Sequence, residues 1–296
     1  MCGIIGLFLK DRAIEPELGA LLAGMLETLC DRGPDSAGFA VYGAAAPHAI
    51  KITVRGPRDC DFTAVVRRLE AGGDPLPRVV HDTHVVLTVP EAREDAVRAE
   101  ISRMPELTVV GCGRRMEIFK EVGRPDRVAK RFGLDAMAGT HGIGHTRMAT
   151  ESAVTTGGAH PFTTAADQCL VHNGSLSNHN ALRRELIRHG FAFQTNNDTE
   201  VAAGYMSWRM REGDSLEQTL NSSLSALDGF YTFVVGTESG FGVLRDPIAC
   251  KPAVMAETDR WVAFGTEYRA LVDLPGISTA RVWEPVPAKA YLWERH

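Results

Sequence analysis

The stretch Cys2-Gly3-Ile4-Ile5-Gly6-Leu7-Phe8-Leu9 decides how this chain folds. It is apolar without alternation, and Lys10-Asp11-Arg12 cuts it short. A run this short and this evenly apolar reads as a strand buried on both faces. That interruption also comes too early for a secretory signal. Leu18, Leu21, Leu22, Met25, Leu26 and Leu29 follow at helical spacing, with Pro16 in the first turn, so 15–29 reads as a helix laid against that strand. Positions 37–42 read as a second strand.

Further strands are expected at 48–54, 84–89, 107–111, 115–122, 142–146, 168–172, 230–236, 242–246, 253–256, 261–266 and 290–293. Helices are expected at 63–71, 93–104, 127–132, 180–189, 199–212 and 215–227. After Leu227 strands succeed one another without helices, which requires antiparallel pairing. Mixed order with long strand runs predicts an α+β layered fold rather than a doubly wound sheet. The alternating segment 45–138 is set apart as an α/β insertion within a domain spanning 1–296, and Gly72-Gly73-Asp74-Pro75-Leu76-Pro77 is its most linker-like part. No internal repeat is found.

The 296 residues are 44% hydrophobic and 23% charged, as in globular proteins, which excludes disorder of the whole chain. A net charge of −5, from 32 basic and 37 acidic residues, gives no electrostatic footprint for nucleic acid or an anionic membrane. No apolar stretch approaches the roughly 18 residues of a membrane span. A cytoplasmic protein is the expectation. Cys2, Cys30, Cys60, Cys112, Cys169 and Cys250 are too widely spaced for a C-x-x-C metal or redox motif. There is no P-loop, no dinucleotide-binding glycine fingerprint and no phosphoribosyl-type acidic strand.

Five short segments carry chemistry. Cysteine at position 2 permits removal of Met1, and the new α-amine would stand beside the thiol as its base; the plain alternative is a cysteine beginning a strand. Arg32-Gly33-Pro34-Asp35-Ser36-Ala37-Gly38 is a tight loop entering a strand. Gly144-His145-Thr146-Arg147-Met148-Ala149-Thr150 puts an arginine fork at a strand end, suited to a carboxylate or to a surface ion pair. His172-Asn173-Gly174 can offer a side-chain amide and a backbone N–H to an oxyanion, or form a type I′ turn. Asn197-Asp198-Thr199-Glu200 precedes an apolar helix; Asp198 either caps that helix or faces a substrate ammonium.

Taken in order, Cys-Gly-Ile, Arg-Gly-x-Asp-Ser, Gly-His-Thr-Arg, His-Asn-Gly and Asp-Thr-Glu resemble the class II glutamine amidotransferases of the N-terminal-nucleophile hydrolase type. The resemblance covers nearly the whole chain outside 45–138. It implies a four-layer α/β/β/α sandwich with Cys2 as the nucleophile that forms a γ-glutamyl thioester from L-glutamine and releases ammonia. It further implies Asn173 and Gly174 as oxyanion donors, Arg147 on the α-carboxylate, Asp198 on the α-ammonium and Arg32 ordering the pocket. It calls for no cofactor and no metal. Relatives such as glucosamine-6-phosphate synthase carry Trp and His where this chain has Met148 and Glu151. The separate length, the long insertion and the variant Arg147-Met148-Ala149-Thr150-Glu151-Ser152 look most like the separate amidotransferase chain of glutamate-synthase-like complexes. These complexes include archaeal-type glutamate synthase and N-methylglutamate synthase. The partners this implies are two further chains, a flavin-bearing glutamate-synthase-like subunit with a glycine-repeat subunit. A catalytically silent regulatory or scaffolding chain of the same complex is the alternative. An acylase of the same hydrolase type is disfavoured by Arg147 and Asp198, which together match an amino-acid head group.

Overall fold

The computed structural model describes residues 2–71, 73–149 and 153–295. Met1, Gly72 of the linker-like stretch, Thr150, Glu151 and Ser152 of the variant motif, and His296 lie outside the described residues.

The chain runs β1 (Gly3–Leu9), α1 (Leu18–Glu27), β2 (Ser36–Tyr42), β3 (Ala49–Arg55), α2 (Phe62–Glu70), β4 (Arg78–His81), β5 (His84–Pro90), α3 (Glu94–Ser102), β6 (Thr108–Gly113), β7 (Met116–Val122), α4 (Pro125–Phe132), β8 (His141–Arg147), β9 (Phe162–Ala165), β10 (Gln168–Leu176), α5 (His179–Arg188), α6 (Asp198–Arg211), α7 (Leu216–Ala226), β11 (Gly229–Gly236), β12 (Gly240–Arg245), β13 (Val254–Glu257), β14 (Trp261–Gly265), β15 (Arg281–Trp283) and β16 (Ala290–Glu294). Every helix expected from the sequence forms. The short strands β4, β9 and β15 carry no sequence signal; each has three or four residues, too few for a period to show.

Seven strands form one sheet in the order β15-β13-β14-β1-β8-β2-β7, and five form a second in the order β16-β12-β11-β10-β9. All named strand pairs in both are antiparallel. β1 is the middle strand of the first sheet, and its residues alternate between two cores. Ile5, Leu7 and Leu9 pack toward Leu22, Leu26 and Phe132 on the α1 and α4 side. Ile4 and Phe8 pack toward Val171, Val234 and Phe241 of the second sheet. The outer face of the second sheet, with Leu170, Phe233 and Leu244, is covered by Leu186, Val201, Met206 and Leu220 of α5, α6 and α7. The layers are therefore helix, sheet, sheet, helix. This explains the unbroken apolarity of β1: both faces are in protein, and each large side chain buried there contributes about 1.5–3 kcal/mol.

The expectation that all of 45–138 stands apart from the sandwich is corrected. Only β3 to β6, with α2 and α3, form a separate four-stranded sheet, in the order β4-β5-β3-β6. β7 pairs with β2 along its whole length as the edge of the main sheet, and α4 lies in its helical layer. The cause is apolar matching on both faces. Phe119 meets Phe39 and Phe132 on one side, while Ile118 meets the inter-sheet core on the other. The inserted module joins the same core through Val86, and its His84 ring packs edge-on to Phe132 at 4.7 Å. At the far end Asp167 clamps it. One carboxylate accepts the backbone N–H groups of Arg114 (2.6 Å), Arg115 (2.9 Å) and Met116 (2.9 Å), joining the β6–β7 turn to the β9–β10 turn.

Candidate active site

The tip of β1 is where four of the five motifs meet. Gly3 stands opposite Thr146, so the register places Cys2 opposite Arg147, which in turn pairs with Ser36 at the start of β2. Directly opposed residues share a face. Ile4 faces the second sheet, and Cys2, two residues earlier, shares that face with Arg147. The Cys2 thiol points at the Met148 carbonyl, 3.8 Å away.

Two side chains converge on the Cys2 carbonyl. Arg32 Nε donates to it at 2.8 Å, and Asn173 Nδ2 at 3.3 Å. The Arg32 guanidinium also pairs with Glu267, just beyond the end of β14. The loop carrying Arg32 is locked against β8. Asp35 N–H donates to the Arg147 carbonyl (3.0 Å), and Ala149 N–H donates to the Asp35 carboxylate (2.8 Å). A Cβ on Gly33 would stand 2.5 Å from the Thr146 carbonyl carbon, so only glycine lets this loop lie so close.

Asn173 and Gly174 do not form a turn. β10 runs four residues past the expected end at His172 and keeps an unbroken register with β11 from Cys169 to Leu176. Ser177 donates its N–H toward the β11 side, to the Asp228 carbonyl, and Leu176 donates the other way, to the Asp198 carboxylate at 2.9 Å. By alternation the Gly174 N–H points to the same side as that of Leu176. On that side β9 reaches only Gln168 and Leu170. Gly174 itself has φ +154°, and a Cβ there would lie 2.0 Å from the Phe230 carbonyl oxygen. Its backbone therefore comes close to the neighbouring strand in a way other residues resist.

The N-cap of α6 is Asn197, whose Oδ1 accepts the Thr199 N–H at 2.8 Å. Asp198 is thereby released from capping and reaches the end of β10. Arg147 is buried; its Nη1 donates to the Ala153 carbonyl at 3.5 Å.

A histidine cluster to which the sequence alone assigns no role lies behind these groups. His145 Nε2 donates to the His172 carbonyl at 3.2 Å, and its ring stacks on His160 with centroids 3.9 Å apart. His160 Nε2 and His172 Nδ1 both meet the Thr199 hydroxyl, at 2.8 and 3.0 Å. Burial pushes His145 down to about 3, and drives His160 well below the usual imidazole range. Burial also lowers His172, opposed by the charge of Asp198. All three are neutral at pH 7, so the cluster is a dry scaffold under the Asn173 peptide. His145, His172 and Thr199 stand inside the motifs, whereas His160 and Glu267 have no spacing that could announce them.

Several cavities lie away from Cys2. A groove of about 1350 Å³ runs along Thr164, Gln168 and Arg211, and none of its lining residues belongs to the five motifs. A second, of about 450 Å³, is lined by Arg55, Lys120, Thr156 and Glu200. Neither contains a candidate nucleophile with a base, so the site is placed on the Cys2 hydrogen-bond set. Among the described residues no cluster of His, Cys, Asp and Glu could hold a metal ion, and no helix is long and apolar enough to cross a membrane.

Comparison with known proteins places the chain among glutamine amidotransferases. Residues 145–273 match the family described as "Glutamine amidotransferase domain". The "Glutamine amidotransferase-like protein GlxB" of Rhizobium meliloti is 60% identical over 296 residues, covering 99% of this chain and 98% of that protein. A relative from Methanothermobacter thermautotrophicus is 33% identical over 98% of this chain and 99% of its own length. Among solved structures, the glutamine phosphoribosylpyrophosphate amidotransferase of B. subtilis superposes with a TM-score of 0.62 at 20% identity. That match covers 99% of this chain and 47% of the other, and carries the fold alone.

Proposed function

The chain belongs to the glutamine amidotransferase family, and from that premise we propose that it is a class II member that hydrolyses L-glutamine at Cys2 and hands the ammonia to a separate synthase chain. In this reading the thiolate attacks the side-chain amide carbon, the amide nitrogen leaves as ammonia after protonation, and water releases glutamate from the thioester. The free α-amine left by Met1 removal is the base.

One observation carries the proposal: Asn173 is held beside the nucleophile by its bond to the Cys2 carbonyl. A side-chain amide has two N–H donors. One is spent on that carbonyl and fixes the group; the other is offered to the tetrahedral oxyanion together with the Gly174 N–H. Such fixed donors act on charge that appears only in the transition state. Arg147, beside Cys2 on one face, holds the α-carboxylate. Asp198, at the end of β10, holds the α-ammonium, and Arg32 orders the pocket through Cys2 and Glu267.

We assign the acceptor to a glutamate-synthase-like complex in the cytoplasm, whose other chains are a flavin-bearing synthase and a glycine-repeat protein.

The test is a diazo glutamine analogue followed by peptide mapping, alongside glutamine turnover with Cys2→Ser as control. The expected result is modification at Cys2 alone and turnover that Cys2→Ser abolishes. Label on Cys30 or Cys169 would refute it. A free, reactive Cys2 without turnover, alone or with its partners, would establish the catalytically silent alternative.

A further inference from the structure

We propose that Lys120 and Glu121, neighbours on β7, are positioning residues that hold the 153–161 segment against Arg147, and that Glu121 makes this grip depend on the inserted module. The proposal rests on the glutaminase reading, because the group it positions is the carboxylate-binding arginine.

β7 is an edge strand, hydrogen-bonded within the main sheet only to β2 among the described residues. Its two consecutive charged residues point to opposite faces, as strand geometry requires, yet both are buried and both end on the connection between β8 and β9. Lys120 takes the inner route. Its Nζ donates to the Ala159 carbonyl at 2.9 Å and the Pro161 carbonyl at 3.2 Å, and lies 4.4 Å from the Phe162 ring centre. Glu121 takes the outer route. Its Oε1 accepts from the Thr156 hydroxyl and from the Val122 N–H at 2.9 Å. The held segment is in contact with the guanidinium: Ala153 presents its carbonyl to Arg147 Nη1, and a Cβ on Gly158 would stand 3.3 Å from the same nitrogen. Arg147 is buried, so bulk water does not orient its fork; the backbone that β7 secures helps to do so.

The other Glu121 oxygen looks the opposite way. Oε2 is 3.5 Å from the Thr83 hydroxyl in the β4–β5 turn, 4.0 Å from Arg55 Nε on β3, and 3.8 Å from Arg131 Nη1 on α4. Arg55 Nε is itself buried without a hydrogen-bond partner among the described residues. One carboxylate thus joins the pocket segment on one side to the inserted sheet on the other. A buried ion in a plain core is a poor choice, because an apolar residue of like shape costs less. Two adjacent ones aimed at a single segment are explained by what that segment touches.

The test is steady-state glutaminase kinetics on Thr156→Val, which keeps the shape and removes the hydroxyl, and on Thr156→Ser, which restores it. Thermal melts and the rate of Cys2 alkylation by iodoacetamide are followed in parallel. Thr156→Val is expected to raise KM for glutamine about tenfold or more, with kcat and alkylation within about twofold of wild type. Thr156→Ser returns KM to within about threefold. Glu121→Gln, which keeps an acceptor oxygen but removes the charge facing Arg55 and Arg131, raises KM by about threefold. KM within twofold of wild type for both Thr156→Val and Glu121→Gln overturns the proposal, as does a serine variant as impaired as the valine one. Wild-type protein that alkylates at Cys2 but never turns over glutamine overturns the glutaminase reading instead, and the proposal with it.

Discussion

Lowering the pH from 7.5 to 5 should cost this protein much of its stability, and the histidines set the amount. Burial pushes His84, His141 and His145 down to about 3 from the usual 6.5. The unfolded chain binds a proton at each ring below 6.5, whereas the folded chain refuses it until near 3. Between those values the unfolded state holds one more proton per ring, so stability rises with pH and is lost on acidification. At pH 5, about 1.5 pH units below the usual value at about 1.4 kcal/mol per unit, each ring removes about 2 kcal/mol. Three rings remove about 6 kcal/mol, and His160 and His172, lowered by the same cause, add to it. Whole-domain stabilities are only about 5–15 kcal/mol. With about 2 °C of Tm per kcal/mol for a chain of this size, Tm should drop by more than about 10 °C across that interval. Calorimetry in steps of half a pH unit measures it. A Tm that moves by less than about 3 °C would show that these rings are hydrated or protonated in the folded state, and would remove the dry scaffold beneath Asn173.

Two further outcomes follow from the geometry. Asn173→Ala should lower kcat by about 10²–10³ while iodoacetamide still alkylates Cys2, because the lost group acts on the oxyanion and not on the thiol; equal kcat would exclude it as a donor. Asp167→Ala should destabilise by about 4 kcal/mol, since three N–H groups lose charged acceptors worth about 1.5–3 kcal/mol each and recover part through water. Asp167→Asn, which keeps one acceptor oxygen, should cost about half as much in a urea titration; equal costs for the two variants would contradict the clamp.

The helices, the apolar strands and the layered α+β class were legible because burial on both faces leaves a visible record, as in the unbroken run Ile4 to Leu9. Elsewhere tertiary pairing decided between readings that the local sequence left open. Asn173-Gly174 has turn chemistry, but eight consecutive pairings between β10 and β11 carry the chain straight through it. Asp198 has the chemistry of a helix cap, but Asn197 takes the cap and leaves it for Leu176. Positions 115–122 read as a strand, yet nothing in their period says which sheet it joins; that follows from Phe39 and Phe132 lying opposite Phe119. The candidate residues were readable as motifs, while His160, Glu267, Lys120 and Glu121 depend on contacts between distant segments that no spacing encodes.

The central place of β1 has a consequence for how the protein is born. Its two neighbours are β8, ending at Arg147, and β14, beginning at Trp261. At about 5–20 residues per second of synthesis, roughly 10 s separate the emergence of one neighbour from the other. Through that interval the first-made strand offers a bare apolar edge, the kind of template that invites pairing with other chains. Glu267, which steadies Arg32 against the Cys2 carbonyl, arrives later still. A ribosome therefore releases the chain past Glu267 before the Cys2 thiol gains its full setting, and a nascent chain stalled before Trp261 carries the cysteine without the contacts that surround it.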